Sequence, residues 1–235
     1  SNNVAVGFQS LYANTTGAAN VAIGQGSLGT NTTASNNIAV GKNTLGLNTT
    51  GASNVAVGAS ALDANTTASN NVGIGLNAAG GTTTGANNIA IGTNSLLTNT
   101  TGASNVSIGT YTLNANTTAS NNTAVGYATL ITNTTGSENT GLGHNALYGT
   151  TTGTGNTGIG QGALQTNTTG GTNTAVGQGS LALNTTASNN VAVGKNTLAA
   201  NTTGSNNTAL GIQALDGNTT GSENVGIGSN ALGSN

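Results

Sequence analysis

Apolar and polar positions along the chain follow one 17-residue period. A glycine that ends a short apolar stretch recurs at every seventeenth residue, from Gly7 to Gly228, without an insertion. We number the repeat so that Val4 is position 1 and Gly7 is position 4. A fixed period in this range is typical of a solenoid, in which each repeat forms one coil that stacks on the last. Function therefore has to be sought in columns of equivalent residues.

The first three positions of the repeat predict a short β-strand. Position 3 is always Val, Ile or Leu, and position 1 is Val or Ile in nine of fourteen repeats and Thr in the other five. Position 2, between them, is only Ala, Gly or Ser. Alternation places positions 1 and 3 on one face of the strand and position 2 on the other. Because position 2 is never a larger polar residue, we expect it inside the coil, with positions 1 and 3 in contact with other chains.

A leucine at position 8 marks a second apolar column. It occurs in thirteen of fourteen repeats, with Ala79 as the exception, and the residue before it is always Ser, Thr or Ala. We predict a second short strand over positions 6 to 9, anchored by this leucine. Position 5 is the most varied, which indicates a solvent-facing column. Nothing recurs at a spacing of 3.6 residues, so no helix is expected.

The rest of the repeat is rich in asparagine and threonine. Positions 11 to 13 read Asn-Thr-Thr in eleven of thirteen repeats, the exceptions beginning at Thr82 and Thr150, and position 17 is always Asn. Asparagine favours turns, and stacked coils allow identical amides to form hydrogen-bonded ladders along the axis. We expect such ladders at position 17 and at position 11.

Composition and charge exclude several classes of function. Only 3% of the residues are charged, the net charge is −2, and there is no cysteine. Two lysines cannot neutralise a row of phosphates, so no nucleic-acid partner is expected. No apolar run is long enough to span a membrane, so no membrane insertion is expected in this segment. Residues 1–235 begin late in one repeat and end inside another, and we expect a single array cut from a longer fibre.

Groups that could carry out chemistry are few and scattered. His144 is the only histidine, and the four carboxylates, Asp63, Glu138, Asp216 and Glu223, are scattered over three repeats. They form neither a paired carboxylate site nor a calcium-binding ladder. We therefore predict no catalytic, cofactor-binding or metal-binding residue, and we do not expect an enzyme.

The apolar stretches resemble a known class of repeat. The segments Asn20–Gly24, Asn88–Gly92 and Asn190–Gly194 resemble head repeats of trimeric autotransporter adhesins, and Asn201–Leu215 is similar to repeats of bacterial surface and phage tail-fibre proteins. The resemblance implies an all-β fold, a left-handed parallel β-solenoid of the β-roll type with one repeat per coil, assembled as a parallel homotrimer. It also implies an extracellular fibre, on a cell surface or a virion, that serves attachment. A second hypothesis is a binding module in which the variable position-5 column or the Asn/Thr face recognises a ligand such as host or surface glycans.

Two other interpretations of the Asn/Thr columns stay open. Asn-Thr-Thr fits the N-glycosylation acceptor, so the fibre could carry N-glycans in a line. Rows of threonine are also found on ice-binding faces, but that function needs two outward threonine columns two residues apart on a flat strand. Adjacent threonines in an extended segment would point to opposite faces.

Overall fold

The structure, a computed structural model, describes residues 2–233, and every regular element in this range is a three-residue β-strand. Contacts divide the chain into two compact units, Ser1–Ser120 and Asn121–Asn235. The first unit contains β1 Val4–Val6, β2 Val21–Ile23, β3 Ile38–Val40, β4 Val55–Val57, β5 Val72–Ile74, β6 Ile89–Ile91 and β7 Val106–Ile108. The second contains β8 Thr123–Val125, β9 Thr140–Leu142, β10 Thr157–Ile159, β11 Thr174–Val176, β12 Val191–Val193, β13 Thr208–Leu210 and β14 Val225–Ile227.

Within each unit, every strand pairs in parallel with the next strand along the chain. The partners lie 17 residues apart, as in the pairing of Val55 with Val72 in the first unit and of Val191 with Thr208 in the second. Each repeat is therefore one coil, and both units are all-β parallel β-solenoids, as predicted. The expectation of a single array over residues 1–235 stays a prediction.

The inside of each coil holds the small residue of position 2 and the leucine of position 8. Ala56 and Leu62, in the same coil, have no exposed surface. The space between the two columns is narrow, since a Cβ added to Gly73, at position 2 of the next coil, would lie 3.1 Å from Cγ of Leu62. This close packing explains why position 2 admits only Ala, Gly and Ser, and it confirms that position 2 faces inward.

The prediction of a second strand over positions 6 to 9 is wrong. These residues form turns in every described coil, and the backbone is left-handed at positions 6 and 8, as at Ser60 (φ 55°) and Leu62 (φ 52°). Such a conformation costs about 1–2 kcal/mol for a residue with a Cβ. Burying a leucine side chain contributes about 1.5–3 kcal/mol, which offsets that cost. The leucine column was correctly predicted as an apolar anchor, but it belongs to a turn.

The glycine at position 4 is required for two separate reasons. Gly58 has φ of 129°, a conformation that residues with a Cβ rarely adopt. A Cβ at this residue would also lie 2.5 Å from the carbonyl oxygen of Gly75, in the next coil. The chain therefore turns sharply after each strand while its backbone stays in contact with the neighbouring coil.

Both asparagine ladders are present. At position 17, the backbone N–H of Asn71 donates to Oδ1 of Asn54 (2.9 Å), and Nδ2 of Asn54 donates to the carbonyl oxygen of Ala68 (2.9 Å). At position 11, Nδ2 of Asn48 donates to Oδ1 of Asn31 in the previous coil, also at 2.9 Å. Each asparagine thus joins successive coils through a buried hydrogen bond, where an unpaired amide would cost about 1–3 kcal/mol.

Candidate functional site: the exposed columns

Positions 1 and 3 form a partly exposed face on each unit. Both columns are apolar in the first unit, whereas in the second unit position 3 is apolar and position 1 is threonine in five of the seven strands. Val57 and Ile74, both at position 3, are each 38% exposed, whereas Ala56 at position 2 is fully buried. Ile91 is half-buried. The other exposed apolar residues of these two columns are Val4, Val6, Ile23, Ile38, Ile89, Leu142, Val191, Leu210, Val225 and Ile227. The chain by itself therefore leaves part of nearly every strand's apolar face in water.

This face is a continuous feature within each unit. Parallel pairing in register places each position-3 side chain beside the equivalent side chain of the next coil, at a spacing of about 4.8 Å. Monomeric soluble proteins rarely expose extended apolar patches, and such patches usually mark an interaction surface. We define the columns at positions 1 and 3 as the apolar face.

The three residues of Asn-Thr-Thr lie in three different environments. In the coil containing Asn48, this asparagine is fully buried, and its Nδ2 also donates to the carbonyl oxygen of Gly51. The hydroxyl of Thr49 donates to the carbonyl oxygen of Thr66, in the next coil, at 3.0 Å. Thr50 is exposed. Of the three side chains, only that of the second threonine is directed to solvent without a hydrogen bond to the described part of the chain.

This arrangement bears on the two alternatives for the Asn/Thr columns. The Nδ2 atom that an N-glycan would modify donates two hydrogen bonds inside the coil at Asn31, Asn48 and Asn65. Threonine is exposed at position 13 of every described repeat, but the position-12 hydroxyls are used between coils. The structure therefore presents one free row of threonine hydroxyls, and not the pair of rows that an ice-binding face requires.

Position 5 is exposed, as its variability predicted. Phe8 is 70% exposed, and Tyr127 is 49% exposed. In the second unit, the ring of Tyr127 stacks on that of His144 in the next coil, with the centroids 5.4 Å apart and the planes inclined by 12°. The column continues with exposed Gln161 and Gln178, and Nε2 of Gln178 lies 3.4 Å from Oε1 of Gln161.

The two lysines and the carboxyl group of Asp63 lie in different environments. Lys42 and Lys195 both lie in the position-5 column and are exposed. Burial raises the pKa of the half-buried Asp63 carboxyl, and a hydrogen bond from the backbone N–H of Gly46 lowers it in part. Between residues 2 and 233, no group of three His, Asp or Glu side chains could hold a metal ion.

The described chain also contains no helix long and apolar enough to cross a membrane.

Two features of the surface were not predicted from the sequence. The first is the single free row at position 13, because the distinction between adjacent threonines depends on how the backbone bends there. The second is the stacked pair of Tyr127 and His144. The sequence contains a signal for that pair, since these two residues are 17 positions apart in the same column.

Comparison with known proteins adds no functional assignment. No protein-family model matches the sequence, and no curated protein is significantly similar to it. The β-solenoid fold and the exposed columns are therefore the observations that bear on function.

Proposed function

We propose that this chain is a structural repeat segment of an extracellular fibre of the adhesin or tail-fibre type, which gives a rigid rod for surface attachment. The observation that carries the proposal is the apolar face. A segment with so few charged residues, and with an exposed apolar side chain at position 1 or 3 in ten of its fourteen coils, is suited to lie against other chains along its length.

We further propose that three parallel copies pack through this face, with position 3 at or near the common axis. The number of chains follows from the resemblance to trimeric adhesin heads, and the exposed columns support self-association. Association costs an estimated 4–15 kcal/mol, which one apolar contact does not offset. Because the same contact recurs in every coil, small gains per layer add up to more than this cost.

Self-association is tested by paired substitutions at Ile74 and Leu76. Ile74 belongs to the apolar face, whereas Leu76 lies two residues later at position 5 and is 50% exposed. We expect light scattering to give three times the chain mass of 22.3 kDa for the wild type and for Leu76→Asp. Ile74→Asp should give a lower mass at the same concentration, because a carboxylate in an apolar contact loses its hydration.

The circular dichroism spectrum of each variant serves as the control for folding. A wild-type chain that remains monomeric at high concentration would contradict the proposal. So would assembly that is lost with Leu76→Asp and kept with Ile74→Asp, since position 5 would then be the contact.

A further inference from the structure

A periodic face does not by itself fix how copies of the chain align along their length. The apolar face repeats with every coil, at a spacing of about 4.8 Å, so two copies shifted by one coil lose only one layer of contact. Position 3 is Val, Ile or Leu in every strand, so its polarity is the same in each of these alignments. A feature that breaks the repeat is needed to select one alignment over the others.

Position 1 breaks the repeat in the second unit. In the first unit this position is Val or Ile in all seven strands. In the second unit it holds, coil by coil, four threonines, a valine, a threonine and a valine. We name Thr123, Thr140, Thr157, Thr174 and Thr208 the threonine column. The order of polar and apolar coils in this unit does not match itself after a shift of one coil.

The hydroxyl groups of the threonine column have no hydrogen-bond partner in the described part of the chain. A threonine hydroxyl elsewhere in the same unit shows the difference, since that of Thr197, at position 7, donates to the carbonyl oxygen of Gly211 at 2.6 Å. Within the column, Thr157 and Thr174 are half-buried and the other three residues are exposed. When this face packs against another chain, the hydroxyls lose water and need a partner from that chain.

A second copy of the chain in the same alignment supplies these partners. A threonine hydroxyl both donates and accepts, so threonines at the same level in parallel copies can bond to one another. A shift of one coil would place Thr174 of one copy level with Val191 of the next, and Val191 of the first copy level with Thr208. Thr208 of the first copy would then lie level with Val225. Each of these layers would hold a hydroxyl group without a partner, which disfavours the shifted alignment.

We propose that the threonine column sets the axial register of parallel copies of this chain, by matching hydroxyl groups layer by layer. The inference rests on the proposed self-association, to which it adds the residues that select one alignment. A polar residue at a single layer of a coiled-coil seam fixes register in the same way, at a cost in stability.

The test exchanges two residues of position 1 without changing its composition. The variant Thr157→Val with Val191→Thr keeps the number of hydroxyl groups but moves one of them along the column. Full-length wild-type chains and isotopically labelled variant chains are unfolded in urea, refolded together at equal concentration and analysed by native mass spectrometry. We expect mixed assemblies to be about tenfold rarer than random association gives, because both exchanged layers then contain hydroxyls without partners.

Two further mixtures serve as controls. Labelled and unlabelled wild-type chains should mix at random, which shows that chains exchange during refolding. The variant Thr169→Val with Thr203→Val removes two exposed hydroxyls at position 13 of the same two coils, and it should also mix at random with the wild type. The circular dichroism spectrum of each variant reports whether it folds.

The same spectra separate a failure of this inference from a failure of the proposed assembly. Random mixing of the exchanged variant with the wild type, in assemblies of the expected mass, would overturn the inference alone. Equal exclusion of the position-13 variant would also overturn it, since sorting would then not depend on the threonine column. Chains that remain monomeric would overturn both the inference and the proposed assembly.

Discussion

Asn65 and Thr82 occupy position 11 of successive coils, and the buried Oδ1 atom of Asn65 accepts no hydrogen bond from the described chain. Where the next coil has an asparagine at position 11, this atom can accept from its Nδ2, as Oδ1 of Asn48 does from Asn65 at 2.8 Å. Thr82 is too short to replace that amide. On its other side, Nδ2 of Asn99 lies 3.5 Å from the Thr82 hydroxyl, at the limit of a hydrogen bond. Thr82 therefore interrupts the position-11 ladder of the first unit.

Restoring this ladder should stabilise the protein. We expect Thr82→Asn to raise the free energy of unfolding by about 1 kcal/mol, because Asn65 gains a donor and Asn99 gains a closer acceptor. The reverse change, Asn48→Thr, should cost about 1–3 kcal/mol, since it leaves Oδ1 of Asn31 unpaired. Urea denaturation of both variants measures the two effects. A destabilised Thr82→Asn variant would show that the coil cannot accommodate the longer side chain there.

Two glycines at position 4 allow the cost of a clash between coils to be measured separately from the cost of an unfavourable φ. Gly58→Ala should destabilise the protein by about 3 kcal/mol or more, because it combines an unfavourable φ with a clash against Gly75. Gly228 has a similar φ of 121°, but a Cβ there would meet only the side chain of Ala231, at 3.9 Å. Gly228→Ala should therefore cost only the conformational part, about 1–3 kcal/mol. Thermal denaturation of the pair gives the difference, and equal losses would contradict the proposed clash.

Two leucines at position 8 allow the contribution of side-chain burial to the free energy of unfolding to be measured in the same way. Leu96 is fully buried with φ of 53°, and Leu232 has the same φ but is 47% exposed. We expect Leu96→Ala to lower the free energy of unfolding by about 2–5 kcal/mol. Leu232→Ala should change it by less than about 1 kcal/mol. Ala79, which occupies this position with φ of 51°, shows that alanine is compatible with the turn. Chemical denaturation distinguishes the two outcomes, and a small loss at Leu96 would mean that the coil collapses around the missing side chain.

Asp63 should make stability depend on pH in the acidic range. Because burial raises the pKa of this carboxyl in the folded chain, the folded state binds its proton more tightly than the unfolded state does. This contribution is fully present below the unfolded pKa of about 3.9 and is lost as pH rises through the higher folded pKa.

Asp63→Asn removes that dependence. The stability of the variant relative to the wild type should increase from acidic to neutral pH, because only the wild type then buries a charge. Urea denaturation at a series of pH values provides the comparison. A difference between the two proteins that stays constant with pH would contradict the expected role of Asp63.

Much of the fold could be predicted from the repeat itself. The alternation at Val55, Ala56 and Val57 gave the strand and the direction of its faces, because period-2 patterning follows directly from strand geometry. The invariant asparagines gave the ladders, since a buried amide in a stacked coil needs a partner from the same column. These features depend on residue type and spacing, which the sequence contains.

The turn over positions 5 to 10 could not be predicted in the same way. Leu62 has a strong preference against positive φ, so local propensity favoured a strand there. The conformation results from packing against neighbouring coils, which is not a local property. The exposure of Thr50, in contrast to its neighbour Thr49, likewise depends on the bend of the backbone and on a carbonyl group 17 residues away.

The left-handed leucine also has a consequence for how the chain folds. A single repeat in isolation would carry the conformational cost at position 8 without a neighbouring coil to cover the side chain, so it should not hold its shape alone. The first coils to form therefore face a nucleation barrier, after which each new coil can use the preceding one as a template. Folding of each unit should accordingly proceed by growth at the end of an existing stack, one coil of 17 residues at a time.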